Sequence, residues 1–186
     1  MQASANRQSN QTPLQADSGF SLIELLIVVA IILIIAAIAI PNMLRSKLAA
    51  DQASAVANLR TISTASVSYW VTYSNGYPAT LGTLGGLQGS PATCNQAILI
   101  DEVIATAPSQ KSGYQFSYTG DQGNVTTVPP GCTPGFGGYL ATAAPMVVGL
   151  TGNISYCTNE PGVIHFDTSG AVAASAATCN LLPTIQ

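Results

Sequence analysis

"DSGFSLIELLIVVAIILIIAAIAIP", residues 17–41, is apolar enough to sit in a bilayer, yet Glu24 stands near its beginning. Leu25 to Ile40 is an unbroken apolar run of 16 residues. With Phe20 to Glu24 added, a helix spans about 31 Å at ~1.5 Å per residue, close to the hydrocarbon thickness of a membrane. A charged side chain deep in that medium costs about 2.5–3.5 kcal/mol, so a lone carboxylate there marks a functional site and needs a partner. Residues 8–44 contain no Lys or Arg to serve. A cut after Gly19 would place a new α-amino group on Phe20, four residues from Glu24. An amine on the same helix points along the axis, so geometry favours the amine of a neighbouring copy. A carboxylate reaching out to the interface is the simpler alternative.

An ordinary secretory signal has a basic start, a shorter apolar stretch and a small-residue cleavage site after that stretch. Here the small residue, Gly19, comes before it. A cut at Gly19 leaves the apolar segment on the mature chain.

G-F-S-L-I-E, a long apolar run and then Pro41 together resemble the class III signal of type IV pilins and pseudopilins. The resemblance is tight from Gly19 through Pro41. It extends more loosely through "NMLRSKLAADQASAVANLRTISTASVSYWVTY", residues 42–73, similar to the rest of a pilin's long first helix. The resemblance implies removal of a leader, residues 1–19, by a membrane prepilin peptidase. It also implies N-methylation of Phe20, with Glu24 neutralising the terminal amine of an adjacent subunit during assembly. The sequence departs from the pattern in places. Arg7 and Asp17 stand in the leader, and Ser18 precedes Gly19 where Lys or Arg is usual. By the positive-inside rule, Arg45 and Lys47 pull the far end toward the cytoplasm; the processing motif and the cysteines are taken to override them. Leu33 stands mid-run where pilins commonly have glycine. Any local melting then relies on Pro41, which has no N–H for the Ala37 carbonyl.

Composition agrees with a membrane or assembly role. Charged residues make up only 7% of the 186-residue chain, hydrophobic residues 47%, and the formal net charge is −3. An ordinary soluble domain carries roughly 25% charged residues. Beyond the first 40 residues the basic side chains are Arg45, Lys47, Arg60 and Lys111, too few and too scattered for a duplex-binding surface. The four cysteines, Cys94, Cys132, Cys157 and Cys179, form no C-x-x-C pair. Even in number and widely spaced, they read as two disulfides in an oxidising compartment. The expected pairing is Cys157 with Cys179, closing a C-terminal loop, and Cys94 with Cys132, pinning the connecting region. Four cysteines permit three connectivities.

After Pro41 the apolar positions Leu44, Leu48, Ala55, Leu59, Ile62, Tyr69 and Tyr73 recur at three-, four- and seven-residue steps. Asp51, Ser54, Asn58 and Thr61 fall largely on other faces, so residues 42–74 read as an amphipathic continuation of the helix. "SNGYP" at 74–78 supplies the stop through Gly76 and Pro78. A straight helix from Ser21 to Ser74 would reach about 80 Å, which implies neighbours to cover it. Residues 75–112 read as irregular, with one helix candidate at Ala97–Ala105. "GYQFSYTG", "GGYLATAAP", "NISYC" and "GVIHFD" read as four short strands, with "GDQGN" at 120–124 as a turn. The fold class expected is α+β: a long N-terminal helix, membrane-spanning in its first half, with a small antiparallel sheet on its second. The sheet belongs to a disulfide-tied head over residues 75–186, whose strand spacing is similar to many pilin heads. The strand order is not readable.

Other motifs carry less. His165, the single histidine, has no nucleophile or carboxylate pattern around it and reads as a strand residue. "LGTLGG" and "GFGG" lack the context of a phosphate loop. Asp121 and Asp167 suit turns better than calcium ligation, so no metal and no cofactor are expected. Asn124-Val-Thr126 and Asn153-Ile-Ser155 match the N-glycosylation pattern. Tyr69, Trp70, Tyr73 and Tyr77 cluster near the helix end, where packing against the sheet is the expectation.

The function expected is that of a non-enzymatic structural subunit, a major-type pilin. It is processed at Gly19 and Phe20, held first in the inner membrane and then polymerised through its helix into an extracellular pilus filament. The expected partners are other copies, the prepilin peptidase and the pilus assembly machinery, without nucleic acid. The alternatives are a pseudopilin of a type II secretion or DNA-uptake apparatus and an anchored binding domain that never polymerises. A mere anchor gains nothing from a buried carboxylate.

Overall fold

The computed structural model describes residues 19–185. The leader residues Arg7, Asp17 and Ser18 lie outside the described residues. The chain divides into two units, one up to Asn42 and one from Met43 onward.

Within the first unit the chain is helical from Leu22 and apolar on every side. Phe20, Leu22, Ile23 and the large residues from Leu25 to Ile40 all stand exposed. A helix apolar all round finds its medium in lipid or in other chains rather than in water. It belongs to α1, Leu22–Tyr73, a 52-residue helix that passes through Pro41 without interruption. The Asn42 side-chain amide donates to the Ile38 carbonyl at 3.2 Å, supplying a donor one turn back beside the proline.

In the second unit α1 is amphipathic, and its inner face is the spine of the core. Ala55, Leu59, Ile62, Ala65 and Tyr69 are buried together with Ser63 and Ser66. Leu48 and Tyr73, expected on the same face, are half-buried, and Leu44 is exposed. The helix ends where Ser74 turns to φ 53°, its N–H donating to the Trp70 carbonyl at 2.8 Å. Gly76 follows at φ 85°, and a Cβ there would lie 2.6 Å from the Phe136 carbonyl oxygen. Only glycine satisfies both constraints.

Against this helix lies an antiparallel sheet of five strands in the order β1-β2-β3-β4-β5: Gln110–Lys111, Tyr114–Asn124, Phe136–Pro145, Ser155–Asn159 and Ile164–Asp167. Each strand pairs with its neighbour in sequence, the cheapest route to an antiparallel sheet. β2 buries Tyr114, Phe116 and Tyr118 on alternate positions, as its aromatic-polar alternation predicts. Those rings meet Tyr77, Tyr139, Tyr156 and the α1 residues in the main core. The last residues add a partial strand, with Phe166 N–H donating to the Pro183 carbonyl and Ile185 N–H to the Ile164 carbonyl, each at 2.9 Å.

Three local expectations change. "GDQGN" is not a turn: β2 runs through it, with a bulge between Asp121 and Asn124 where Gln122 and Gly123 take φ 60° and 73°. The helix foreseen at Ala97–Ala105 shrinks to α3, Glu102–Ala105, with Asp101 as its cap. Residues Ala97 to Ile100 are instead held by the carbonyls of Thr83, Leu84 and Gly85, beside the short helix α2, Leu81–Leu84. Finally, β1 is a strand that its two polar residues gave no sign of, and α4, Ala176–Asn180, begins on a Ser175–Thr178 capping box.

Candidate functional site

The site nominated by the sequence begins at Gly19. Gly19 and Phe20 are exposed and precede the helix, and nothing lies within 4 Å of the position a Gly19 Cβ would take. The helix starts with Ser21 as its flanking residue. The Ser21 backbone N–H donates to Glu24 Oε2 at 3.0 Å, and the Leu25 N–H reaches the Ser21 carbonyl at 3.3 Å. Ser-x-x-Glu is the spacing of a capping box, and this is its carboxylate half. A negative charge in the first turn also complements the helix dipole. Sequence reasoning weighed Glu24 as a charge in want of a cation or as a carboxylate reaching the interface, and not as a helix cap. The local signal for its second role was there in Ser21 and the three-residue step to Glu24.

The capping bond has a chemical consequence. Because Glu24 closes the helix at Ser21, the Gly19–Phe20 peptide bond stays outside it, unwound and open to solvent. Among the described residues the ion pair present is Lys111 with Asp101, Nζ to Oδ2 at 2.7 Å, and Glu24 has no cationic partner among them. The Lys111 ammonium and the Val103 N–H hold the Asp101 carboxyl below the ordinary carboxylate range.

The cysteines fall into two bridges, Cys94–Cys132 and Cys157–Cys179, with Cα–Cα distances of 5.5 and 6.0 Å. They differ in setting. Cys157 and Cys179 are buried beside Leu140, joining β4 to α4, whereas Cys94 and Cys132 are half-exposed and tie two loops. Asn95 reinforces the outer tie, accepting from Thr133 N–H at 3.1 Å and donating to the Gly131 carbonyl at 3.0 Å.

The remaining motifs resolve as structure. His165 Nδ1 lies 2.7 Å from the Leu182 carbonyl, linking β5 to the C-terminal segment. Asp121 and Asp167 each accept a backbone N–H, from Gln122 and Ser169, as turn and bulge residues do. The Ser169 bonds lower the Asp167 carboxyl below its usual range. No cluster of three or more His, Cys, Asp or Glu side chains occurs among the described residues. Asn124 is exposed at the end of β2, while Ser155 of the other glycosylation triplet is buried and donates to the Ala171 carbonyl.

The aromatic cluster is partly core and partly surface. Trp70, 46% exposed, tilts against Tyr77 at 4.8 Å; Tyr77 meets Tyr139 at 5.0 Å, which stacks on Tyr118 at 5.3 Å. The Tyr139 hydroxyl donates to Ser63 Oγ at 2.9 Å, tying β3 to α1. Burial pushes Tyr139 up to about 12, with the Ser63 bond pulling the other way. Burial raises Tyr114 and Tyr118 as well. A shallow apolar groove of about 670 Å³ is lined by α1 residues, including Ala53 and Ala57, and by Tyr156 and Phe166 of the sheet, with Arg60 its charged member.

Residues 14–40 match the family model described as the prokaryotic N-terminal methylation motif. The chain is also 52% identical over 52 residues to the type IV major pilin protein PilA of Myxococcus xanthus (strain DK1622). That match covers 28% of this chain and 24% of the Myxococcus protein. No solved structure matches the chain. The methylation motif spans the segment that bears Gly19, Phe20 and Glu24, ahead of a long helix and an antiparallel head, and with the partial match to a type IV major pilin this makes the chain similar to type IV pilins.

Proposed function

We propose that the chain is a structural subunit of a type IV pilus, a major-type pilin that polymerises through its N-terminal helix. The observation that carries this reading is an exposed apolar helical segment whose single carboxylate, Glu24, has no cationic partner among the described residues. Such a helix is stable only in lipid or among its own kind, and the same surface serves both media in turn. In the inner membrane it anchors the precursor. After cleavage of the exposed Gly19–Phe20 bond, the Phe20 amine, N-methylated by family resemblance, is a cation that Glu24 of an adjacent subunit neutralises. Burying both charges without that pairing is costly. Pro41 adds a point at which the helix lacks one backbone bond and bends at lower cost. Similarity to a protein named as a major pilin favours a pilus subunit over a pseudopilin. The role proposed is mechanical rather than catalytic.

The domain organisation proposed follows: leader 1–19, assembly helix 20–41, amphipathic helix 42–74 and disulfide-tied head 75–186. The test is to shear surface filaments from cells and sequence their main subunit by mass spectrometry. The expected result is this chain beginning at methylated Phe20. Filaments unaltered when the gene is deleted, or a subunit that begins at Met1, would refute the reading.

A further inference from the structure

The turn between β3 and β4, Met146-Val147-Val148-Gly149-Leu150, is built for water neither in composition nor in shape. Its four large side chains are exposed by 49, 50, 58 and 63%; Gly170 lies beside Val148, and Val172, two residues on, is 50% exposed. The chain from Gln122 to Asn159 contains no charged residue. Tight turns are normally the polar part of a sheet, because their backbone groups need solvent. Here several of those groups are satisfied internally. Met146 N–H donates to the Gly113 carbonyl, Gly149 N–H to the Gly152 carbonyl and Thr151 N–H to the Val147 carbonyl, each at 2.9 Å. Val147 N–H donates to the Thr151 hydroxyl at 3.0 Å, and that hydroxyl donates back to the Val147 carbonyl at 3.2 Å. A turn that closes part of its own hydrogen bonding and directs its aliphatic side chains outward can enter the headgroup boundary, where water reaches the remaining polar backbone.

Its place in the head says which medium. β3 starts at Phe136, bridged to Tyr77 just past the end of α1, and runs back past Ser63 at Tyr139. It ends at Pro145 opposite Tyr114, and the adjoining Ser112 hydroxyl accepts from Ser54 at 3.0 Å. The turn after Pro145 therefore lies at the end of the head nearest Met43, where the chain arrives from the apolar segment. On α1 at that end Met43 and Leu44 are exposed, flanked by the exposed cations Arg45 and Lys47. Apolar side chains with basic residues at the same end of the head suit a headgroup and acyl boundary carrying phosphate. Four side chains fall well short of the roughly 800 Å² per partner that a stable protein interface buries.

We propose that the Met146–Leu150 turn is a lipid-contact site that seats the head on the bilayer surface while the chain is membrane-anchored, with Arg45 and Lys47 against lipid phosphates. The inference rests on the anchored-precursor reading above. It gives the precursor a resting geometry in which the head is held against the membrane, to be released when the subunit enters a filament.

The experiment uses the full chain reconstituted into vesicles of phosphatidylethanolamine and phosphatidylglycerol. Trp70 is the single tryptophan, so Trp70→Phe with Val148→Trp leaves one reporter, in the turn. The expected result is co-flotation with vesicles, a blue-shifted emission and loss of that emission when the lipids carry bromine near the glycerol end of the acyl chains. The native Trp70, at the other end of the head, keeps its emission under bromine. A chain that floats but is not quenched overturns the lipid contact and leaves the anchor intact. A blue shift without quenching that grows with the protein-to-lipid ratio overturns it in favour of a second copy. A chain that does not float overturns both this inference and the anchored reading. Leu150→Ser with Val147→Ser, on the same reporter background, is expected to reduce the quenching while the near-ultraviolet spectrum of the head is retained.

Discussion

At residue scale, Glu24 has two separable duties. It accepts the Ser21 N–H at the head of the helix, and in the proposed filament it offers its charge to the Phe20 amine of another subunit. Glu24→Gln distinguishes them. A glutamine at this position of a capping box still accepts from the Ser21 N–H, so the helix start survives. A neutral amide is also cheaper to insert in the membrane. Membrane-bound protein is therefore expected to hold or rise, while the yield of sheared filaments falls, by tenfold or more if the lost pairing is worth over about 1.4 kcal/mol. Normal filament yield from the glutamine variant would show that the cap is all Glu24 provides. Glu24→Ala removes both duties and is expected to cost helix order at Ser21 as well.

At the scale of elements, the stop after α1 and the two disulfides set where the head begins and how it is tied. Gly76→Ala would force a Cβ onto φ 85° and to within 2.6 Å of the Phe136 carbonyl. A loss of about 1–3 kcal/mol is expected, read as a lower urea midpoint with an unchanged slope. The bridges enclose 38 and 22 residues of sequence separation, and chain entropy assigns each roughly 3–4 kcal/mol. Their accessibility differs more than their energy. Limited reduction followed by alkylation and peptide mapping is expected to label Cys94 and Cys132 first, with Cys157 and Cys179 protected until the head unfolds. Simultaneous labelling of all four would mean that the outer tie holds the core closed.

For the whole molecule, the head is a tyrosine-rich core on one helix face, and its stability carries a signature in alkali. Tyr139 is raised from 10.0 to about 12, chiefly by burial, and burial raises Tyr114 and Tyr118 in the same direction. An unfolded chain releases these protons near pH 10, whereas the folded head keeps them. Between those values the folded state binds more protons, so stability is fully present below pH 10 and falls as pH rises through the Tyr139 range. Each such tyrosine contributes at most roughly 1.4 kcal/mol per pH unit over its window. Urea midpoints are expected to be flat from about pH 7 to 9 and to drop steeply above 10. Tyr139→Phe is expected to cost about 1 kcal/mol at neutral pH, by orphaning Ser63 Oγ, and to make the alkaline drop shallower. An unchanged alkaline profile would mean that Tyr139 ionises in the folded head as it does in water.

Much of this protein is written in local pattern. The apolar run and its period-free hydrophobicity specify a helix for a medium other than water, and the later three- and four-residue spacing specifies which face meets a sheet. Glycine before the run and one carboxylate at its start single out the segment that the methylation motif covers. Aromatic alternation marks β2, and polar breaks mark β3 to β5. What pattern does not carry is anything decided between distant residues. "GDQGN" has every turn residue, yet the pairing of Asp121 and Asn124 with β3 draws it into a bulged strand. Strand β1 exists only because Gln110 and Lys111 meet the edge of β2. Sequence permits three cysteine connectivities, and it is the placement of α4 beside β4 and of two loops beside each other that brings the sulfurs of the expected pairs together. The apolar turn at Met146 is likewise unremarked in a list of residues. It is tertiary structure that leaves it uncovered, because β3 delivers it past the edge of the core with several of its backbone bonds closed within the turn.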